Sequence, residues 1–239
     1  MKKYSAQKTS GAHFTPNQLA NYVAINLINQ IELNSNKTIN VLDPSCGDGE
    51  LLLAFINNIP VKFHKNISIY GIEFDLDSLK KTNERLKQFK LKELYLNTAD
   101  FLEMIPEWKL KNQPCLFDLE TTSDLDILNK IDVIIANPPY VRTQILGSEK
   151  AQKLSKKFNL AGRVDLYHAF LVAMTSILSD DGLLGVITSN RFISNRAGEN
   201  IRNYLQSNYE IIKLIDLGDT KLFEAAVLPA IFFGRKKKY

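Results

Sequence analysis

Cysteine is almost absent from this sequence. Its two copies, Cys46 and Cys115, stand far apart and share no paired motif, so a disulfide framework is excluded and no zinc site is suggested. A reducing cytoplasm is the expected setting. Also missing is any run of about 18 uncharged apolar residues, the length a helix needs to cross a bilayer. The opening MKKYSAQKTSGAHF carries basic residues without an apolar stretch, so a soluble protein with no membrane partner is expected. Histidine occurs three times, and His13, His64 and His168 fall in no acid–base constellation, Ser–His–Asp arrangement or metal-ligand set. Neither sign of charge dominates: thirty Lys and Arg against twenty-six Asp and Glu leave +4, which permits an anionic partner without demanding one. Internal repeats and low-complexity linkers are lacking too.

What remains is 239 residues, 45% hydrophobic and 23% charged, enough for one compact domain with a real core. Short β-branched runs alternate with longer stretches of helical period, the pattern of an α/β fold with a mostly parallel sheet. Seven strands are predicted: Ile39 to Leu42, Ile67 to Phe74, Glu93 to Thr98, Asp132 to Asn137, Leu183 to Thr188, Ile211 to Leu217 and Val227 to Gly234. Helices are predicted from about Asn17 to Gln30, Glu50 to Asn58, Asp77 to Lys90, Asp165 to Ser179 and Gly198 to Ser207. About nine residues separate the last two strands, too few for a helical crossover, so these should pair antiparallel as a hairpin. Two stretches fit the alternation poorly. Glu107 to Lys130, acidic in its second half, reads as a loop or short helix. Val141 to Arg163, rich in Lys and Arg and poor in apolar residues, reads as an exposed basic excursion.

VLDPSCGDGELLLAF runs from a strand through a turn with two glycines into an amphipathic helix. Gly47 and Gly49 allow a tight turn and close approach to a ligand, and the helix start supplies free N–H groups. The spacing departs from the dinucleotide fingerprint, for a third glycine is missing and Asp43 stands where a pyrophosphate would be repelled. An acid at that strand tip suits an ammonium group. Thirty residues on, Glu73 ends the second strand, where a carboxylate can grip both ribose hydroxyls. The third strand ends in Ala99-Asp100-Phe101, an acid for an adenine amino group and a ring to lie on the base. Singly, an acid at a strand end is more often a cap. Together they describe a ligand with adenine, ribose and an amino acid end but no phosphate, which is S-adenosylmethionine.

The fourth predicted strand ends in Asn137-Pro138-Pro139-Tyr140. Two prolines fix φ and remove two N–H donors, so the backbone past the strand presents carbonyls without competing donors. The Asn137 side-chain oxygen and the Pro138 carbonyl can accept both hydrogens of a planar –NH₂, while Tyr140 stacks on the ring that carries it. Two directed acceptors favour the pyramidal amine, whose lone pair is free to attack a sulfonium methyl.

At this point the sequence resembles the amino-methylating DNA methyltransferases, specifically the adenine-specific (N6) group of restriction–modification systems in which the amino-terminal motif comes first. GAHFTPNQLANYV, DPSCGDG, GIEFD, ADF and NPPY follow in the family's order, and VDLYHAFL, DDGLLGVITSNRF and LFEAAVLPAIFF resemble its later motifs. The resemblance implies a Rossmann-like S-adenosylmethionine-dependent fold with a seven-stranded, mostly parallel sheet and a C-terminal antiparallel hairpin strand. It implies that Thr15, Asp43, Ser45, Gly47, Glu73, Asp100, Phe101 and Asn137 line the cofactor site. Asn137, Pro138, Pro139 and Tyr140 would form the catalytic segment, within which Asn137, Pro138 and Tyr140 hold the flipped adenine while Phe223 packs on it. Base flipping follows because an exocyclic amine inside a duplex cannot reach strand tips.

The resemblance further implies one catalytic domain over residues 1–239. Residues 10–32 would form a cofactor-contact region and residues 141–164 a basic substrate-side excursion bordering DNA with Arg191 to Arg196. Nothing in the sequence reads as a recognition code, so a fused or separate DNA-recognition domain is expected, together with a restriction nuclease. Alternative readings on the same architecture are a protein glutamine or RNA adenine methyltransferase, because NPPY serves any planar –NH₂. A catalytically idle DNA-binding module would be expected to have lost the acids or the tetrapeptide.

Overall fold

In the computed structural model, residues 15–105, 131–141, 147–160, 165–195, 198–219 and 228–238 are described. Helix α1 (Asn17–Ile28) precedes β1 (Ile39–Asp43), α2 (Glu50–Asn57), β2 (Ile67–Glu73), α3 (Leu76–Leu86), β3 (Glu93–Thr98) and the single turn α4 (Phe101–Met104). The second half holds β4 (Ile131–Ala136), α5 (Ser148–Lys157), α6 (Leu166–Ile177), β5 (Leu178–Ser189), α7 (Arg191–Ser194), α8 (Glu199–Asn208), β6 (Tyr209–Asp216) and β7 (Pro229–Lys236).

The strands form one sheet in the order β3-β2-β1-β4-β5-β7-β6. The first five neighbours pair parallel, and β7 runs antiparallel between β5 and β6. This is the expected α/β sheet with its antiparallel C-terminal strand. The chain order reverses between β1 and β4, and a crevice opens at such a switch beyond the carboxyl ends of the strands. Strand alternation sends side chains to two cores. Val41, Ile69, Val133 and Ile135 pack beneath α1, α2 and α3, whereas Leu42, Ile72, Ile134 and Val186 pack beneath α6 on the opposite face.

Besides the short helices α4 and α7, which the sequence pattern does not predict, strand β5 and helix α5 differ from the sequence expectation. Strand β5 starts at Leu178, because Leu178 pairs with Ile131 before a register irregularity and the ladder resumes at Leu183 opposite Val133. Within the basic excursion, residues 148–157 form a helix. Its anchors are Leu154 and Phe158, four apart and both buried, which place one apolar stripe on the α6-side core while the lysines point outward. Three of those lysines are engaged: Lys157 Nζ donates to the Leu102 carbonyl at 2.6 Å, Lys153 pairs with Glu103 at 3.1 Å and Lys150 lies 4.0 Å from Asp100. The expected loop or short helix over Glu107 to Lys130 lies outside the described residues. Among the described residues, no helix is long and apolar enough to cross a membrane.

Candidate active site

Strand β1 delivers Asp43 to the switch point, where its side chain is 1% exposed. The turn that follows folds around this carboxyl: Asp43 Oδ1 accepts from the Ser45 backbone N–H at 3.0 Å. The Cys46 N–H donates to the Ile72 carbonyl at 3.0 Å, which leans the turn onto β2. Burial pushes the Asp43 pKa up to about 8; the Ser45 N–H opposes the rise and the nearby Glu73 carboxylate adds to it.

Gly47 adopts φ +55°, a left-handed conformation that side chains seldom take, and a Cβ built there would meet nothing within 4 Å. Its N–H donates to Glu73 Oε2 at 2.9 Å and its carbonyl accepts from Thr82 Oγ1 at 2.8 Å. Gly49 caps α2 at φ +82°, and a Cβ there would stand 2.9 Å from Thr82 Cγ2. The second oxygen of Glu73 accepts from the Asp75 N–H at 2.9 Å. Glu73 therefore pins both the glycine loop and the start of α3.

At the next strand tip Asp100 caps α4, its Oδ1 accepting from the Leu102 N–H at 3.0 Å. Its other oxygen lies 4.0 Å from Lys150 Nζ of α5. The adjacent Phe101 is 2% exposed and packs on Phe170, ring centroids 5.7 Å apart, so its ring belongs to the core. Phe74, which follows Glu73, is the opposite case at 79% exposed. The sequence pattern places it inside the second strand, which ends instead at Glu73.

Just past β4, Asn137 Nδ2 donates to Thr15 Oγ1 at 3.0 Å, and Asn137 Oδ1 accepts from Tyr140 Oη at 2.7 Å. Burial pushes the Tyr140 phenol well above its usual value, so it stays protonated. Pro138 is buried and Pro139 half-buried. Thr15, Asp43, Ser45, Gly47 and Asn137 line one cavity, together with Cys46, Asp48, Glu50 and Leu51. Glu73, Asp100 and Phe101 stand outside that cavity, at the ends of β2 and β3 along the same edge of the sheet. Phe223 lies outside the described residues. Thr82 and Arg85, which hold the glycine loop from α3, had no local signal because they are 35 and 37 residues from the loop carbonyls they bind.

The cavity fits a small ligand with a cationic end. Three carboxyl groups line it, Ser45 Oγ is buried without a hydrogen-bond partner among the described residues, and the space beside Gly47 is open. Among the described residues, no cluster of His, Cys, Asp and Glu could hold a metal ion.

Comparison with known proteins places this architecture. The Eco57I restriction-modification methylase profile matches residues 47–223. The chain belongs to that family. Type II methyltransferase M.BanIII from Aneurinibacillus aneurinilyticus is 51% identical over 236 residues, covering 97% of this chain and 39% of that protein. The type I restriction-modification system methyltransferase subunit from Streptococcus thermophilus superposes with a TM-score of 0.69 at 17% identity, over 99% of this chain and 48% of that one. A class I S-adenosylmethionine-dependent methyltransferase from Listeria monocytogenes superposes with a TM-score of 0.67 at 18% identity, over 94% and 61% of the two chains. These structural likenesses show the fold, which is that of the S-adenosylmethionine-dependent methyltransferases. The chain spans about two fifths of the length of the curated relatives it matches.

Proposed function

We propose that this chain transfers a methyl group from S-adenosylmethionine to the exocyclic amino group of adenine in DNA, on a base flipped out of the duplex. The observation that carries this reading is the shared cavity, which sets Asn137 at the end of β4 against Thr15, Asp43, Ser45 and Gly47 at the cofactor end.

Asp43 and Thr15 would face the amino acid end of the cofactor. Glu73 would accept from the ribose hydroxyls and Asp100 from the adenine amino group. The exposed Phe74 ring would cover the base from outside, with the buried Phe101 supporting that wall from the core. When bound, S-adenosylmethionine supplies a methyl group on a positively charged sulfur. Asn137 Oδ1 and the Pro138 carbonyl would accept the two hydrogens of the target amine, and Tyr140, with Phe223, would hold its ring. The Thr15 hydroxyl accepts from the Asn137 NH₂, and the amide oxygen, which accepts from Tyr140 Oη, has a second lone pair to offer the substrate. Neither acceptor is basic enough to remove a proton outright, so the amine's proton passes to solvent.

Lys and Arg side chains of residues 141–164, with Arg191, would hold phosphates at the rim. The basic face of α5 and the matched restriction–modification family support DNA over the alternatives. Sequence readout is assigned to a DNA-recognition domain, fused or separate, working beside a restriction nuclease in the cytoplasm. Methyl transfer is tested with labelled S-adenosylmethionine and three acceptors: duplex DNA, RNA and glutamine-bearing protein. Label on the adenine amino group of DNA is expected. Label in RNA or in glutamine alone rejects the DNA assignment, and a calorimetric titration without cofactor binding rejects the enzyme.

A further inference from the structure

The segment that grips the catalytic amide is tied at its other end to the glycine loop. Thr15 Oγ1 accepts from Asn137 Nδ2. Two residues on, past a Pro16 held at φ −59° and ψ 140°, Asn17 Nδ2 donates to Glu50 Oε1 at 2.8 Å. Glu50 opens α2 and lines the same cavity as Gly47 and Asn137. Its second oxygen accepts from Arg85 Nη2 of α3. The other arm of that guanidinium donates to the Asp48 carbonyl at 2.9 Å and faces the Asp48 carboxylate at 3.3 Å.

Something must set the spacing between loop and tetrapeptide, because the sheet stops short of it. Strands β1 and β4 pair through Val41 with Val133 and Leu42 with Ile134, before either Asp43 or Asn137. The partly exposed ion pairs of Arg85, 30% exposed, add little to stability. Their consequence is geometric: Arg85 holds the loop from outside, Glu50 passes that hold to α1, and a proline-stiffened dipeptide carries it to Asn137.

We infer that Asn17, Glu50 and Arg85 are positioning residues for methyl transfer, a clasp that sets the distance between the cofactor loop and Asn137. This rests on the methyltransferase reading above.

Asn17→Ala opens the clasp without altering the loop or the tetrapeptide. The melting temperature and the calorimetric affinity for S-adenosylmethionine should stay near wild type, while kcat for adenine methylation falls about tenfold or more. In the cofactor-free protein the Asn137 side-chain amide resonance, identified by its loss in Asn137→Asp, should shift. Asn17→Gln keeps an amide donor for Glu50 and should recover most of kcat and return the resonance toward its wild-type position. Asn17→Asp sets two carboxylates against each other and should recover neither. A wild-type kcat and an unmoved resonance in Asn17→Ala overturn the clasp, as does a loss that Asn17→Gln and Asn17→Asp share equally. A wild-type protein that binds no S-adenosylmethionine overturns the methyltransferase reading instead, and the resonance, which needs no cofactor, still decides whether the clasp exists.

Discussion

Tyr140 Oη donates to Asn137 Oδ1 across 2.7 Å, so the oxygen assigned to the target amine already carries a hydrogen bond from its own tetrapeptide. Burial keeps the phenol protonated, and Thr15 takes the other end of the amide. The orientation of Asn137 is thereby fixed before any substrate arrives. An amide oxygen has two lone pairs, so the entering amine can share it with the phenol or displace the phenol.

Tyr140→Phe separates those roles, because it keeps the ring and removes the donor. Its kcat is expected within about tenfold of wild type, whereas Tyr140→Ala and Asn137→Ala should each lose about 100-fold or more. All three should bind S-adenosylmethionine with nearly unchanged affinity. Label incorporation into DNA and calorimetry read the two quantities. If Tyr140→Phe is as inactive as Tyr140→Ala, the hydroxyl and not the ring is what the reaction needs.

Asp43 makes stability depend on pH. Its folded pKa is pushed up to about 8 by burial, against an ordinary 3.8. Between those values the folded protein holds a proton that the unfolded chain has released, so stability falls as pH rises from about 4 to about 8. Asp43→Asn should melt higher than wild type at pH 8, with the gap closing toward pH 4. A ligand ammonium beside Asp43 would return it to its ionised form, so binding S-adenosylmethionine near pH 7 should release a proton. Calorimetry in buffers of different ionisation heat measures that release. Binding heats independent of buffer would mean that no cation meets Asp43.

Placement of the site at the strand tips was legible because the carriers of that information are local. Strand runs such as Asp132 to Asn137 announce themselves by composition, and open α/β sheets gather ligands where such runs end. Contacts across the fold were not legible. Thr82 reaches the Gly47 carbonyl over a separation of 35 residues, and neither partner is unusual in its own neighbourhood. Helix α5 was hidden for a different reason: Leu154 and Phe158 are its sole buried anchors among many lysines, and two apolar residues four apart make a faint period. The two phenylalanines at the strand tips show a third limit. Phe101 begins a helix and turns into the core against Phe170, while Phe74 is left outside. Which aromatic stays out depends on the element that follows it.

His168 opposes Asp43 in its pH dependence. Its side chain is 8% exposed, its Nε2 has no hydrogen-bond partner among the described residues, and burial lowers its pKa from 6.5 to about 4. Between about 4 and 6.5 the unfolded chain binds a proton that the folded protein refuses. The neutral ring thus contributes stability that is full above 6.5 and lost as pH falls through about 4. His168→Phe keeps the edge-on contact with Tyr167, whose ring centroid is 4.3 Å away, and removes the unpartnered nitrogen, a group that costs about 1–3 kcal/mol when buried. The variant should melt higher than wild type, with a larger gain at pH 5 than at pH 7.5. Equal gains at the two pH values would mean that His168 is hydrated in the folded state.

Gly47 and Gly49 are two residues apart and both left-handed, yet alanine should act differently at each. At Gly47, φ is +55° and a Cβ meets open space. The cost to folding is then the backbone conformation alone, about 1–2 kcal/mol, while the new methyl group stands in the space assigned to the cofactor. At Gly49 the same backbone cost is joined by a contact of 2.9 Å to Thr82 Cγ2. Relief there must move the threonine whose hydroxyl holds the Gly47 carbonyl, which adds about 1–3 kcal/mol of overpacking. Gly47→Ala should therefore fold with a small loss of stability and a large loss of S-adenosylmethionine affinity. Gly49→Ala should lose more stability, and its remaining folded fraction should show a weakened loop. Denaturant melts and calorimetric titrations on both variants measure the contrast. If Gly47→Ala binds the cofactor as wild type does, the open space beside Gly47 does not receive it.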